Sequence, residues 1–210
     1  MNRSLAISAA ILLGSNLVAL VFALWFQWNT FEIVLLYWIQ ALIIGGFQRR
    51  KVQDMIAYAR HPRQAKWFRS HGTSLMQEGM HNAFAGVYGV FWAVAGILLL
   101  IAFLNSRDLV VDPVSILLAT SVFACSHWWS YRTNKPDDEQ RVVDINVLLL
   151  PVLRMFLPLH VFAVVMDLDV TTTPAVTAVW MTIKTAVDVG AHIIEHSEGR
   201  RIPAASRAPR

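Results

Sequence analysis

Six stretches of this chain stay apolar for 17 to 30 residues at a time: 4–26, 31–47, 75–104, 112–131, 145–167 and 172–195. A helix rises about 1.5 Å per residue, so roughly 17–25 such residues cross the hydrocarbon of a bilayer. Backbone in hydrocarbon must satisfy its own N–H and C=O groups, which leaves helices or a closed barrel. Barrel strands are only about 9–11 residues long. The expectation is an all-α protein, a bundle of six transmembrane helices. Composition agrees: 56% of the 210 residues are hydrophobic and 15% charged, against about 25% charged in a soluble domain. The first run follows a single Arg3 and exceeds a signal-peptide core, so it reads as a retained span.

The loops orient the bundle. With the N-terminus inside, pieces 1–3, 48–74, 132–144 and 196–210 hold fifteen of the eighteen Lys and Arg residues; the opposite side holds only Arg107. The positive-inside rule then puts both termini in the cytoplasm. The formal net charge of +4 is accounted for by these loops and not by nucleic-acid binding. Segment 48–70 is too polar to cross. Val52, Met55, Ile56 and Ala59 share one face of it, so it reads as an amphipathic helix along the inner leaflet. Residues 1–196 form one bundle, and 197–210, rich in Pro, Ala and Arg, a flexible cytoplasmic tail. Ala41 and Gly45, and likewise Ala85, Gly89 and Ala93, recur at four-residue spacing and read as helix-packing faces. The single Cys125 excludes an internal disulfide and a Cys-rich metal site.

Ionisable residues at membrane depth are costly and default to function. Counted from the expected cytoplasmic ends, Gln40, Glu78, His81, His127, Arg154, Asp188 and His192 fall in one layer, ~5–14 Å deep. Lys184, Asp188, His192 and His196 repeat every four residues and line one face of the last span, with Glu195 beside them. Asp188 and Arg154 lie at similar depth with opposite charge, which suggests a structural ion pair.

Three chemistries suit this layer. His192, Glu195 and His196 spell H-x-x-E-H, the inverted zinc-protease pattern. Two histidines at i, i+4 can share a divalent ion, zinc above all, with His81 and His127 completing the shell. Glu195, with Asp188, would then be the catalytic carboxylate acting on bound water. The second chemistry is a proton path His160–Lys184–Asp188–His192. The third, a haem held by His81 and His127, is disfavoured because both lie near the membrane edge.

The pieces "LLYWIQ" (35–40), "HNAFAGVYGVF" (81–91), "RMFLPLH" (154–160) and "KTAVDVGAHIIEH" (184–196) resemble a family of prokaryotic multi-pass integral membrane proteins of unknown function. The resemblance covers spans two to six. It implies an inner-membrane location and one shared site for these polar residues, and it carries no activity. The family pattern has a carboxylate where Gln40 stands and a histidine where Val87 stands, so this chain departs from it at two potential ligands.

Three functions compete: a metal- or proton-handling site with enzymatic use, a small transporter or channel, and a structural subunit of a larger membrane complex. The partners these readings call for are the lipid bilayer, further copies of the chain, or other membrane subunits.

Overall fold

The computed structural model describes residues 3–60, 73–105, 110–138, 154 and 173–197, without the side chains of 3–4, 59–60, 73–78, 80–81 and 196–197. The described residues include five helices: α1 (Arg3–Trp25), α2 (Thr30–Arg60), α3 (Thr73–Asn105), α4 (Pro113–Asp138) and α5 (Pro174–Ser197), and Arg154 is also helical. Each overlaps an expected span. The expected span 145–167, apart from Arg154, and the tail beyond Ser197 lie outside the described residues. α1 packs against α4 and α5, and α2 against α4 and α3.

The distribution of polarity is inverted relative to a water-soluble fold. Leu17, Val21, Val90, Leu98, Leu117 and Val179 are exposed, whereas Ser8, Asn16, Gln40, Lys184, Asp188 and His192 are buried. Apolar surface on this scale would aggregate in water and is stable against lipid. Three helices among the described residues are long and apolar enough to cross a membrane, in α1, α2 and α3. α5 falls short of that measure because its buried face carries Lys184, Asp188, His192 and Glu195.

The α1–α2 turn is fixed by backbone chemistry. Gln27 has a positive φ of 52°, and Trp28 N–H donates to the Ala23 carbonyl at 2.9 Å. This is a Schellman cap, with Gln in the position Gly usually takes. Asn29 and Glu32 then form a capping box: Glu32 N–H donates to Asn29 Oδ1 at 3.0 Å, and Asn29 N–H to Glu32 Oε2 at 2.8 Å. The other oxygen of Glu32 accepts from Asp112 N–H at 2.8 Å, just ahead of α4. Trp28 Nε1 reaches Ser115 Oγ at 2.8 Å. One buried carboxylate thus satisfies the starts of two helices, where positive dipole ends favour it. Glu32→Ala is expected to destabilise by ~2 kcal/mol, the scale of two lost caps. In purified protein that is a fall of roughly 5 °C in the thermal midpoint.

α2 does not stop where its apolar run does. It continues without a break to Arg60, past the expected end at 47. The face expected to lie on lipid packs on protein instead: Val52 and Met55 are buried in a cluster with Ala41, Phe84 and Tyr88. An amphipathic face fits either partner, and α3 supplies one. Ala41 and Gly45 do meet α3, because Tyr88 stacks over them and donates its hydroxyl to the Ala41 carbonyl. The small-residue face of α3 departs from expectation, since Gly89 and Ala93 are exposed. α3 packs through Phe84, Tyr88 and Ala95, with Trp92 stacked on Trp38 at 4.3 Å between ring centres.

Candidate functional site

The polar layer is built on α5. Successive turns of its buried face present Lys184, Asp188, His192 and Glu195, and each finds a partner outside α5. Asp188 is 1% exposed. Its Oδ2 lies 2.6 Å from Lys184 Nζ and accepts from Asn16 Nδ2 of α1 at 3.3 Å. The Arg154 guanidinium donates to the Asp188 carbonyl at 2.6 Å, and its Nε stands 3.6 Å from Oδ1. Lys184 also donates to Asn16 Oδ1 at 3.1 Å and to Gln40 Oε1 of α2. Its ammonium lies 5.1 Å from the Tyr37 ring centre and 4.9 Å from that of Phe123. A buried ammonium loses its water shell, and three oxygens with two aromatic faces replace that shell here.

Two turns further along α5 stands a second cluster. Lys51 Nζ of α2 sits 2.7 Å from Glu195 Oε1 and 3.0 Å from Asp138 Oδ2 of α4. All three are buried. His192 lies between the clusters, its Nε2 2.9 Å from Ser8 Oγ of α1. Beyond Lys51, Tyr131 donates to Asp54, which Lys135 approaches at 3.1 Å and Arg50 at 3.6 Å. The Asp54 hydrogen bond is the main cause that raises the Lys135 pKa above its ordinary value.

A cavity of about 40 Å³ joins the two clusters, with Arg154, His127 and His192 on one part of its wall and Lys51, Asp138 and Glu195 on another. On the scale where one water needs about 10–15 Å³, it holds roughly three. Its lining reaches Lys51 of α2 and Asp138, the last residue of α4. At its other end, beyond Lys184, the core is apolar: Leu36, Tyr37, Ile116, Trp180 and Met181.

The structure therefore brings together Arg154, Lys184, Asp188, His192, Glu195 and His127, from α4, α5 and Arg154's own segment. Among the described residues there is no group of three or more His, Cys, Asp or Glu able to hold a metal ion. Asp188 is occupied by two cations. His127 is wedged between Phe47 and Phe123, at 6.2 and 4.4 Å between ring centres. The side chains of His81, Glu78 and His196, and all of His160, lie outside the described residues.

Sequence reasoning missed Ser8, Asn16, Lys51 and Asp138. The first two had a signal: Ser8, Ser15, Asn16, Ala19 and Ala23 form one small or polar face of α1, and all five are buried. Lys51 stood in the segment read as an inner-leaflet amphipathic helix, and Asp138 in a stretch read as a cytoplasmic loop.

The model of a family of unknown function, DUF6498, matches residues 1–205. No curated protein and no solved structure matches the chain.

Proposed function

The chain belongs to the DUF6498 family of unknown function, and from that premise we propose what its buried site does. The protein is a six-span protein of the prokaryotic inner membrane with both termini cytoplasmic. Its polar chamber faces the cytoplasm and passes protons to and from the Lys184–Asp188–Arg154 triad, with His160 continuing the path outward. The observation that carries this reading is the cavity between the triad and the Lys51–Asp138–Glu195 cluster, lined by ionisable groups and large enough for a short water chain. The topology is supported by the basic loops, which favour a cytoplasmic side for the end of the bundle near Lys51 and Asp138. A full-depth aqueous channel is not part of the reading, because the core beyond Lys184 is apolar.

The test is proton flux into vesicles loaded with a pH-sensitive dye and driven by a potassium diffusion potential. Glu195→Gln leaves Lys51 paired with Asp138, so retention of fold is expected and is checked by the thermal midpoint. Protein-containing vesicles should acidify, and Glu195→Gln or His160→Leu should slow this at least tenfold, the lower end of general acid–base contributions being about 10²-fold. Flux equal to that of empty vesicles would overturn the reading.

A second reading is favoured by one observation: the charged groups of the triad are all paired, across α1, α2, α5 and Arg154. In that case the network is a tie between helices of a structural subunit. It predicts no flux, together with loss of fold when Asp188 is neutralised.

A further inference from the structure

The cavity has a feature that proton transfer does not use. Its lining is charge-balanced, yet Arg154 Nε and His127 Nε2, both on residues that line it, make no hydrogen bond, Arg154 Nε standing 3.6 Å from Asp188 Oδ1. Arg154 is 6% exposed, and buried donors of this kind are normally satisfied. Asp138 and Glu195 flank Lys51 at one end, while Arg154 and Lys184 share the single carboxylate of Asp188 at the other. The deep end therefore carries one surplus positive charge.

We infer that the chamber binds a small monovalent oxyanion, of the size of formate or acetate, at the Arg154–His127 wall, and takes up one proton as it does so. A carboxylate supplies the acceptors those two nitrogens lack, and Arg is the side chain best matched to it. The volume of about 40 Å³ limits the ligand to a few heavy atoms.

The proton follows from charge balance. The lining holds Lys51 and Arg154 against Asp138 and Glu195, and the adjoining Lys184 balances Asp188. An added anion leaves the buried site with one uncompensated negative charge, which low-dielectric surroundings do not tolerate. The groups lining the chamber that can accept the proton are His127 and Asp138 on α4, and His192 and Glu195 on α5. Lys51 of α2 is held between two of those carboxylates. Asp54, reached through Tyr131, is held by Lys135 and Arg50.

The inference shares the chamber of the proposed function and not its relay, so the two fail separately. The experiment is isothermal titration of the full-length protein in detergent with potassium acetate and potassium formate at constant ionic strength. It is run at pH 6 and pH 7, in two buffers of different ionisation enthalpy. Acetate and formate should bind with one proton taken up per anion, and affinity should fall about tenfold for each unit of rising pH, as linkage to a single proton requires. Benzoate, too large for the cavity, should not bind. Arg154→Gln should abolish the heat. If Arg154→Gln does not fold, His127→Leu, which removes no charge, should weaken binding at least fivefold. No acetate heat at either pH, affinity independent of pH, or unchanged binding in His127→Leu would overturn the inference. Acetate binding with proton uptake in a protein that conducts no protons would sink the relay and keep the anion site. Flux without acetate binding would do the reverse.

Discussion

Asp188→Asn should be the most damaging single change in the buried network, costing about 3–5 kcal/mol. That is the scale for removing one partner of a buried ion pair, and in purified protein it is a fall of about 10 °C in the thermal midpoint. The expectation rests on an asymmetry. Asp188 is the carboxylate shared by Lys184 and Arg154. Losing it leaves two buried cations facing one another with only neutral oxygens nearby. Losing either cation leaves a balanced pair. Lys184→Met should therefore cost clearly less than Asp188→Asn, although methionine fills a similar space. Arg154→Gln should also cost less, and adding it to Asp188→Asn should restore part of the stability. Equal losses for all three single variants would mean that shape, and not charge, holds this layer together.

The second large effect is expected at Gly45. A Cβ built there lies 2.2 Å from Tyr88 Cε1 and 2.8 Å from two further ring atoms. The Tyr88 ring has little room to retreat, since it is buried against Phe84 at 5.2 Å between ring centres and its hydroxyl is tied to the Ala41 carbonyl. Gly45→Val should cost about 3 kcal/mol through overpacking, read as a lower thermal midpoint. Tyr88→Leu in the same chain should recover most of the loss by vacating the space. Gly46, one residue on, meets nothing within 4 Å; Gly46→Ala is the control and should be close to neutral. If Gly45→Val were as mild as that control, α2 and α3 would not be in contact as described.

Much of the helix layout was legible because apolar length is a property of a segment by itself. A span needs no partner to announce it, and the five described helices overlap five of the six expected segments. What failed were inferences about partners. The Val52–Met55 face of α2 has the same pattern whether lipid or Tyr88 covers it. Gly89 and Ala93 have the spacing of a packing face and are exposed. Glu32 stood at the start of the second expected span and gave no hint that it caps both α2 and α4.

The candidate site was legible for a different reason. Titratable residues are scarce in apolar spans, so Lys184, Asp188 and His192 stood out on one face of the last segment, and Arg154 at similar depth had the complementary charge. Chemistry was harder to read than position. His192 beside Glu195 satisfies a metal pattern in one dimension, but in three dimensions its Nε2 meets Ser8, and Glu195 meets Lys51. A short motif fixes spacing along one helix only, and the neighbouring helices decide what each side chain does.

The most direct test of the account is thiol accessibility in sealed membrane vesicles containing the protein. In a Cys125→Ser background, Ser130→Cys places a thiol on the cavity wall, and Leu118→Cys places one on the half-exposed outer face of α4. A charged, membrane-impermeant thiosulfonate should modify Ser130→Cys in inside-out vesicles and not in right-side-out ones, and should leave Leu118→Cys untouched in both. Modification of Leu118→Cys with Ser130→Cys protected would contradict the account, because water would then lie where lipid is expected and the polar chamber would be closed to the cytoplasm.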